Sequence, residues 1–240
     1  MHALRTFVLA SILLAPEGSV AETLTFSTSQ SQFTSGVDNN GWWADNVGNN
    51  DENESYFVGT YSGSVYRNFF TFDLTALPVA SSVVSATLRL SRWSSGPDNE
   101  MVETLEFLDV STDPTTLNGG SDDPNAAVFA DLGLGTSYGE FSIQGAGTWS
   151  DVLGFALDAD ALADIESAAG GFFSIGGVLN SQSGDDYLFA ASGGGIQQLV
   201  VVIPEPATGT MLLTGLVVLR LRTASRAGRR QARRSTAHLG

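Results

Sequence analysis

Between Glu22 and Ile203 the chain has no histidine, cysteine or lysine. Its two histidines, His2 and His238, lie in the terminal segments. That absence removes Ser-His and Cys-His nucleophiles, histidine or thiolate metal sites and Schiff-base lysines. Carboxylates are what remains: 24 of them, against Arg67, Arg89 and Arg92, over 182 residues. A pair of carboxylates can hydrolyse a glycosidic bond, but with this many acids no pair can be picked out by type or spacing. The expectation is a non-enzymatic protein. A carboxylate-dependent, glycan-active enzyme is one alternative.

The densest chemistry lies in Asp38-Asn39-Asn40-Gly41-Trp42-Trp43-Ala44-Asp45-Asn46-Val47-Gly48-Asn49-Asn50-Asp51-Glu52. Exposed faces of Trp42 and Trp43 could stack on sugar rings, and the Asp and Asn oxygens suit calcium, a hard cation. This supports a carbohydrate-binding module, with structural calcium as its one cofactor. The preferred reading is plainer: a polar loop with one tryptophan in the core and one on its rim. The spacing does not fit an EF-hand loop. Asp122-Asp123 and Asp185-Asp186 read as turn chemistry. Asp158, Asp160, Asp164 and Glu166 read as the exposed face of a helix.

Charge is divided along the chain. The body from 22 to 203 carries a formal charge near −21, by subtracting its 24 acids from its three arginines. Arg220, Arg222, Arg226, Arg229, Arg230, Arg233 and Arg234 crowd the C-terminal end. An acidic body argues against nucleic acid as a partner, since phosphate binding needs cations. Acidity keeps an exported protein soluble. With no cysteine, stability must come from a packed core.

The terminal segments read as addresses. Arg5 followed by apolar Phe7 to Ala15, then Ser19-Val20-Ala21 before Glu22, has the composition of a secretory signal peptide over 1–21, cleaved between Ala21 and Glu22. At the other end, Pro204-Glu205-Pro206 breaks a strand, and Ala207 to Leu219 is uncharged. Those 13 residues reach ~20 Å as a helix, against a bilayer core of ~30 Å. Arg220 and Arg222 must therefore snorkel for residues 207–222 to hold in a membrane. Positive residues stay cytoplasmic, which places the body outside.

The Pro-Glu-Pro triplet, short apolar stretch and arginine cluster over 204–240 together resemble the PEP-CTERM sorting signal. The resemblance implies a Gram-negative bacterium and processing by exosortase, a membrane-embedded enzyme. It also implies an inner-membrane intermediate, then the cell surface or an extracellular matrix, in association with exopolysaccharide.

The body over 22–203 alternates like a β protein. Phe70, Phe72 and Leu74 share one face of a strand, and Val84, Ala86, Leu88 and Leu90 share another. Residues 187–191 and 199–203 read as further strands. Turn signals fall at 95–98, 118–120, 180–184 and 193–195. Leu157, Ala161, Ile165 and Ala168 recur at helical spacing, with Asp158 and Asp160 at the start and Gly170-Gly171 at the end. The predicted fold is all-β: an antiparallel sandwich with one short helix, plus a C-terminal transmembrane helix. The segments Arg67–Leu74, Leu77-Pro78 and Val84–Leu90 resemble the opening strands of DNRLRE-type surface domains, which implies a jelly-roll-like sandwich. Gly170–Gly177 is similar to bodies on other PEP-CTERM proteins. No binding residues carry over from either resemblance.

Overall fold

A computed structural model of the chain describes residues 21–204, apart from 30, 50–54, 97–101, 122, 145–147, 149, 181–183 and 191–194. The expected signal peptide up to residue 20 lies outside the described residues. So do Glu205, Pro206, the 207–222 span and the arginine tail. No helix among the described residues is long and apolar enough to cross a membrane.

Residues Glu22–Pro204 form one compact unit. In chain order it runs β1 (Ala21–Ser27), β2 (Asn40–Ala44), β3 (Val58–Tyr61), β4 (Ser64–Asp73), β5 (Ser85–Ser91), β6 (Ser94–Gly96) and β7 (Val102–Asp109). Then come α1 (Pro114–Leu117), α2 (Ala126–Asp131), β8 (Ser137–Gln144), β9 (Val152–Ala156) and α3 (Ala159–Ser167). The described residues close with β10 (Phe172–Leu179), β11 (Asp186–Ala190) and β12 (Gln197–Pro204).

Two sheets, antiparallel throughout their registered pairs, share a core. The smaller has the order β1-β12-β5-β9. The larger runs β6-β11-β3-β4-β10-β7-β8, with β2 added to β4. Alternation decides which residues go inside. In β5, Ala86, Leu88 and Leu90 are buried while Thr87 and Arg89 are half-buried. In β12, Leu199, Val201 and Ile203 are buried. These meet Phe70, Phe72, Leu105, Phe107, Ile175 and Leu188 of the larger sheet in one cluster. Val84, expected inside, is 59% exposed. Its neighbour Val83 is buried instead, and the strand begins only at Ser85.

Strand β4 is apolar on both faces. Phe69 joins Trp43, Leu117, Val128 and Leu132 in a second cluster. That cluster explains two helices absent from the sequence reading. They have four and six residues, too few to show a period. Caps start them: the Asp113 carboxylate accepts the Thr115 amide, and Asn125 Oδ1 accepts the Val128 amide. The expected helix is α3, capped by Asp158, which accepts the Asp160 and Ala161 amides. Ala161 and Ile165 point into the core.

The two ends of the unit lie together. The Thr28 amide donates to the Gln197 carbonyl at 3.3 Å. β1 precedes Thr28 and β12 begins at Gln197, so the two strands can flank one another only if they run antiparallel. Ala21 and Pro204 therefore sit at the same end of the small sheet, both exposed.

Candidate functional site

Of the segment expected to be a polar loop, 38–52, residues Asn40–Ala44 form strand β2, and 45–47 are a turn. Trp42 pairs with Asn68 and Trp43 with Arg67 of β4. The pairing is long-range and leaves no local pattern. Its Asn and Gly residues, which usually mark turns, are held here by partners outside the segment. Asn40 Oδ1 accepts the Thr28 hydroxyl at 2.8 Å, and Asn39 Oδ1 accepts the Gln32 amide at 3.2 Å. Asp45 Oδ1 accepts the Val65 amide at 3.1 Å. These oxygens already serve the protein. Among the described residues no group of three or more Asp, Glu, His or Cys side chains could hold a metal ion. Asn50, Asp51 and Glu52 lie outside the described residues.

The two tryptophans part company, as adjacent strand residues must. Trp43 is 2% exposed, and its indole N–H donates to the Leu117 carbonyl at 3.0 Å. It is core. Trp42 is half-buried on the opposite face, with its ring set edge-on to Tyr66, 5.0 Å between centroids.

Register extends Trp42's face into a row of rings. Ala44 pairs with Tyr66, Tyr66 pairs on its other edge with Gly59, and Gly59 pairs with Tyr187. Paired residues share a face, and alternation adds Trp42, Phe57 and Tyr61 to it. The ring contacts agree. Phe57 lies 4.8 Å from both Tyr66 and Tyr187, and Tyr61 lies 5.7 Å from Tyr187. Trp42, Tyr66, Phe57 and Tyr187 are half-buried and Tyr61 is 48% exposed, so the row meets solvent. Gly59 lets β3 lie close against the β11 backbone that carries Tyr187. Its φ is +124°, and any Cβ there would run into the Asp186 carbonyl oxygen.

Aromatic rings with hydroxyl tips bury apolar area while keeping hydrogen-bonding groups at the rim. A sugar ring offers the matching surface, with C–H faces and hydroxyl edges. Only Trp42 of this row was legible in the sequence. The other four residues come from three separate segments, and alternation would have had to be combined with a register that no local signal gives.

A second feature is a shallow cleft of about 270 Å³ lined by Asp109, Tyr138, Asp164, Phe172 and Ser174, among others. The Tyr138 hydroxyl donates to Asp164 at 2.6 Å. Burial pushes the Tyr138 phenol far above its usual value, and the hydrogen bond and charge of Asp164, with the charges of Asp109 and Asp158, push it further. The Thr136 amide donates to Asp109. The helix acids expected as surface decoration thus have assignments: Asp158 caps, Asp164 holds Tyr138, and Glu166 accepts the Val83 amide at 2.6 Å. Of the Asp185-Asp186 pair, Asp185 accepts the Ser62 amide at 2.8 Å beside Tyr61, while Asp186 is buried in β11.

The address residues are described only at their inner margins. Ala21 and Glu22 are exposed where β1 begins, and Pro204 is exposed where β12 ends. No protein-family model matches the chain, and no curated protein matches it either.

Proposed function

We propose that this is an exported, non-enzymatic cell-surface or matrix protein whose body binds polysaccharide through the Trp42–Tyr66–Phe57–Tyr187–Tyr61 row. The row carries the reading: five aromatic side chains on one face of a sheet, meeting solvent where a monomeric body could have placed polar ones. The body is taken as a jelly-roll-like sandwich. The sequence of residues 1–21 and 204–240 supports export, a short membrane hold through 207–222, and exosortase processing at Pro204-Glu205-Pro206, with exopolysaccharide as the partner at the destination. Trp43, read from sequence as a second glycan contact, has no part in this proposal because it is core.

Binding is tested with the detergent-solubilised full chain on a glycan array, with and without calcium. Trp42→Ala and Tyr187→Ala should each weaken a positive signal at least tenfold, the size of a hot-spot loss. No glycan bound under either condition sinks the reading. Sorting is tested separately: a chain lacking residues 204–240 should leave the envelope for the medium, and its retention there would refute the anchor.

A second reading, a carboxylate-dependent glycan-active enzyme, is favoured by one observation, the Asp109–Tyr138–Asp164 cleft. It predicts turnover on a polysaccharide panel that Asp164→Asn abolishes.

A further inference from the structure

The aromatic row has a chemical preference written into its surroundings, provided that it binds glycan as proposed above. Acidic polysaccharides, built on uronate, sulfate or phosphate, are recognised by cationic side chains. The body holds three arginines and no lysine or histidine. Each arginine is committed elsewhere. Arg67 faces away from the row, because it pairs with Trp43 rather than Trp42. Its guanidinium donates to the Phe129 and Ala130 carbonyls and lies 4.2 Å over the Phe129 ring. Arg89 donates to Gln198 Oε1 in the small sheet, and buried Arg92 donates to the Gln144 carbonyl. No arginine side chain is turned to the row among the described residues, and carboxylates flank it: Asp185 accepts the Ser62 amide next to Tyr61, and Asp45 accepts the Val65 amide next to Tyr66. Around this face lies a body of formal charge near −21, from three arginines and 24 acids. Its field repels a polyanion over roughly 10 Å at 0.1 M salt, and over about 30 Å at 0.01 M.

We propose that the Trp42–Tyr61 aromatic face takes uncharged polysaccharide and turns away polyanionic polysaccharide. Affinity comes from ring stacking and hydroxyl hydrogen bonds, neither of which salt screens. Discrimination comes from repulsion, which salt does screen. The partner in the matrix is then a neutral glycan, and an acidic exopolysaccharide in the same matrix is a bystander.

The test is native affinity electrophoresis of the detergent-solubilised full chain through gels containing hydroxyethylcellulose or alginate, over 0.01 to 1 M sodium chloride. Hydroxyethylcellulose should retard the chain equally at all salt concentrations. Alginate retardation should be at least tenfold weaker at 0.01 M, and the gap should narrow as salt rises. Asp185→Asn keeps an acceptor for the Ser62 amide and removes one charge, so it should raise alginate retardation about two- to fivefold at 0.01 M and leave hydroxyethylcellulose unchanged. Alginate also pairs with the arginine tail, Arg220 to Arg234, so the share of the aromatic face is the part of alginate retardation that Trp42→Ala removes. If that part equals the neutral polymer's at low salt, or falls with added salt as cation–anion pairing does, the preference is overturned. A chain retarded by neither polymer at any salt fails at the earlier step, because then the aromatic face binds no glycan of either class.

Discussion

Adjacent tryptophans with opposite fates offer a direct experiment at the residue scale. Trp43→Ala empties a fully packed site and orphans the Leu117 carbonyl. It should cost about 3–5 kcal/mol in denaturant unfolding. Trp42→Ala removes one edge-on contact worth about 1 kcal/mol and should leave the fold intact while glycan binding drops. Gly59→Ala combines a forbidden φ with a backbone clash, so it should destabilise by at least 1–3 kcal/mol, roughly, and disorder the row with it. Asp131 gives a pH signature. Burial pushes its carboxyl up, but hydrogen bonds from the Ser111 and Thr112 hydroxyls and the Thr112 amide, at 2.6 to 2.7 Å, more than reverse this and hold it below the ordinary value. A folded-state value below the unfolded one means stability that is present above about pH 4 and lost as pH falls through the folded value. Urea midpoints taken from pH 5 down to pH 2 should fall, and Asp131→Asn should flatten part of that slope.

Elements differed in how legible they were, and the reason is where their stabilising partners lie in the chain. β4, β5, β11 and β12 carry alternating or continuous apolar residues, so the strands around 68–74, 84–90, 187–191 and 199–203 could be read locally. α3 declared itself through Leu157, Ala161 and Ile165 together with its Asp158 cap. Asp158→Ala should cost about 1 kcal/mol, read from thermal unfolding, because it strips partners from two helix amides. β2 leaves no local signal because its residues prefer turns, and only pairing with Phe70, Asn68 and Arg67 some 25 positions away makes Asn40–Ala44 a strand. α1 and α2 exist to cover Phe69 and Trp43, a need invisible until β2 is in place. The row of rings was hidden for the same reason: Trp42, Phe57, Tyr66 and Tyr187 are neighbours by register and not by sequence.

Across the whole molecule, the sheets follow from composition, while their order does not. Runs of Val, Leu and Phe between Gly and Asn clusters demand sheets, but the succession β1-β12-β5-β9 depends on contacts between chain ends that composition cannot rank. That succession has a mechanical consequence. β12 is an inner strand, bonded to β5 on one edge and flanked by β1 on the other, whereas β1 is an edge strand. Pulling at Pro204 alone loads a strand that is gripped from both sides. Pulling at Ala21 and Pro204 together separates two adjacent strand ends, and the β1–β12 bonds then open one after another, as a zipper does. A body tethered only through Pro204 should therefore withstand drag that would peel a body held at both ends. Single-molecule pulling with handles at Ala21 and Pro204 should show β1 detaching at low force, ahead of the main unfolding event. By this geometry, freeing the N-terminus is what lets the domain bear load.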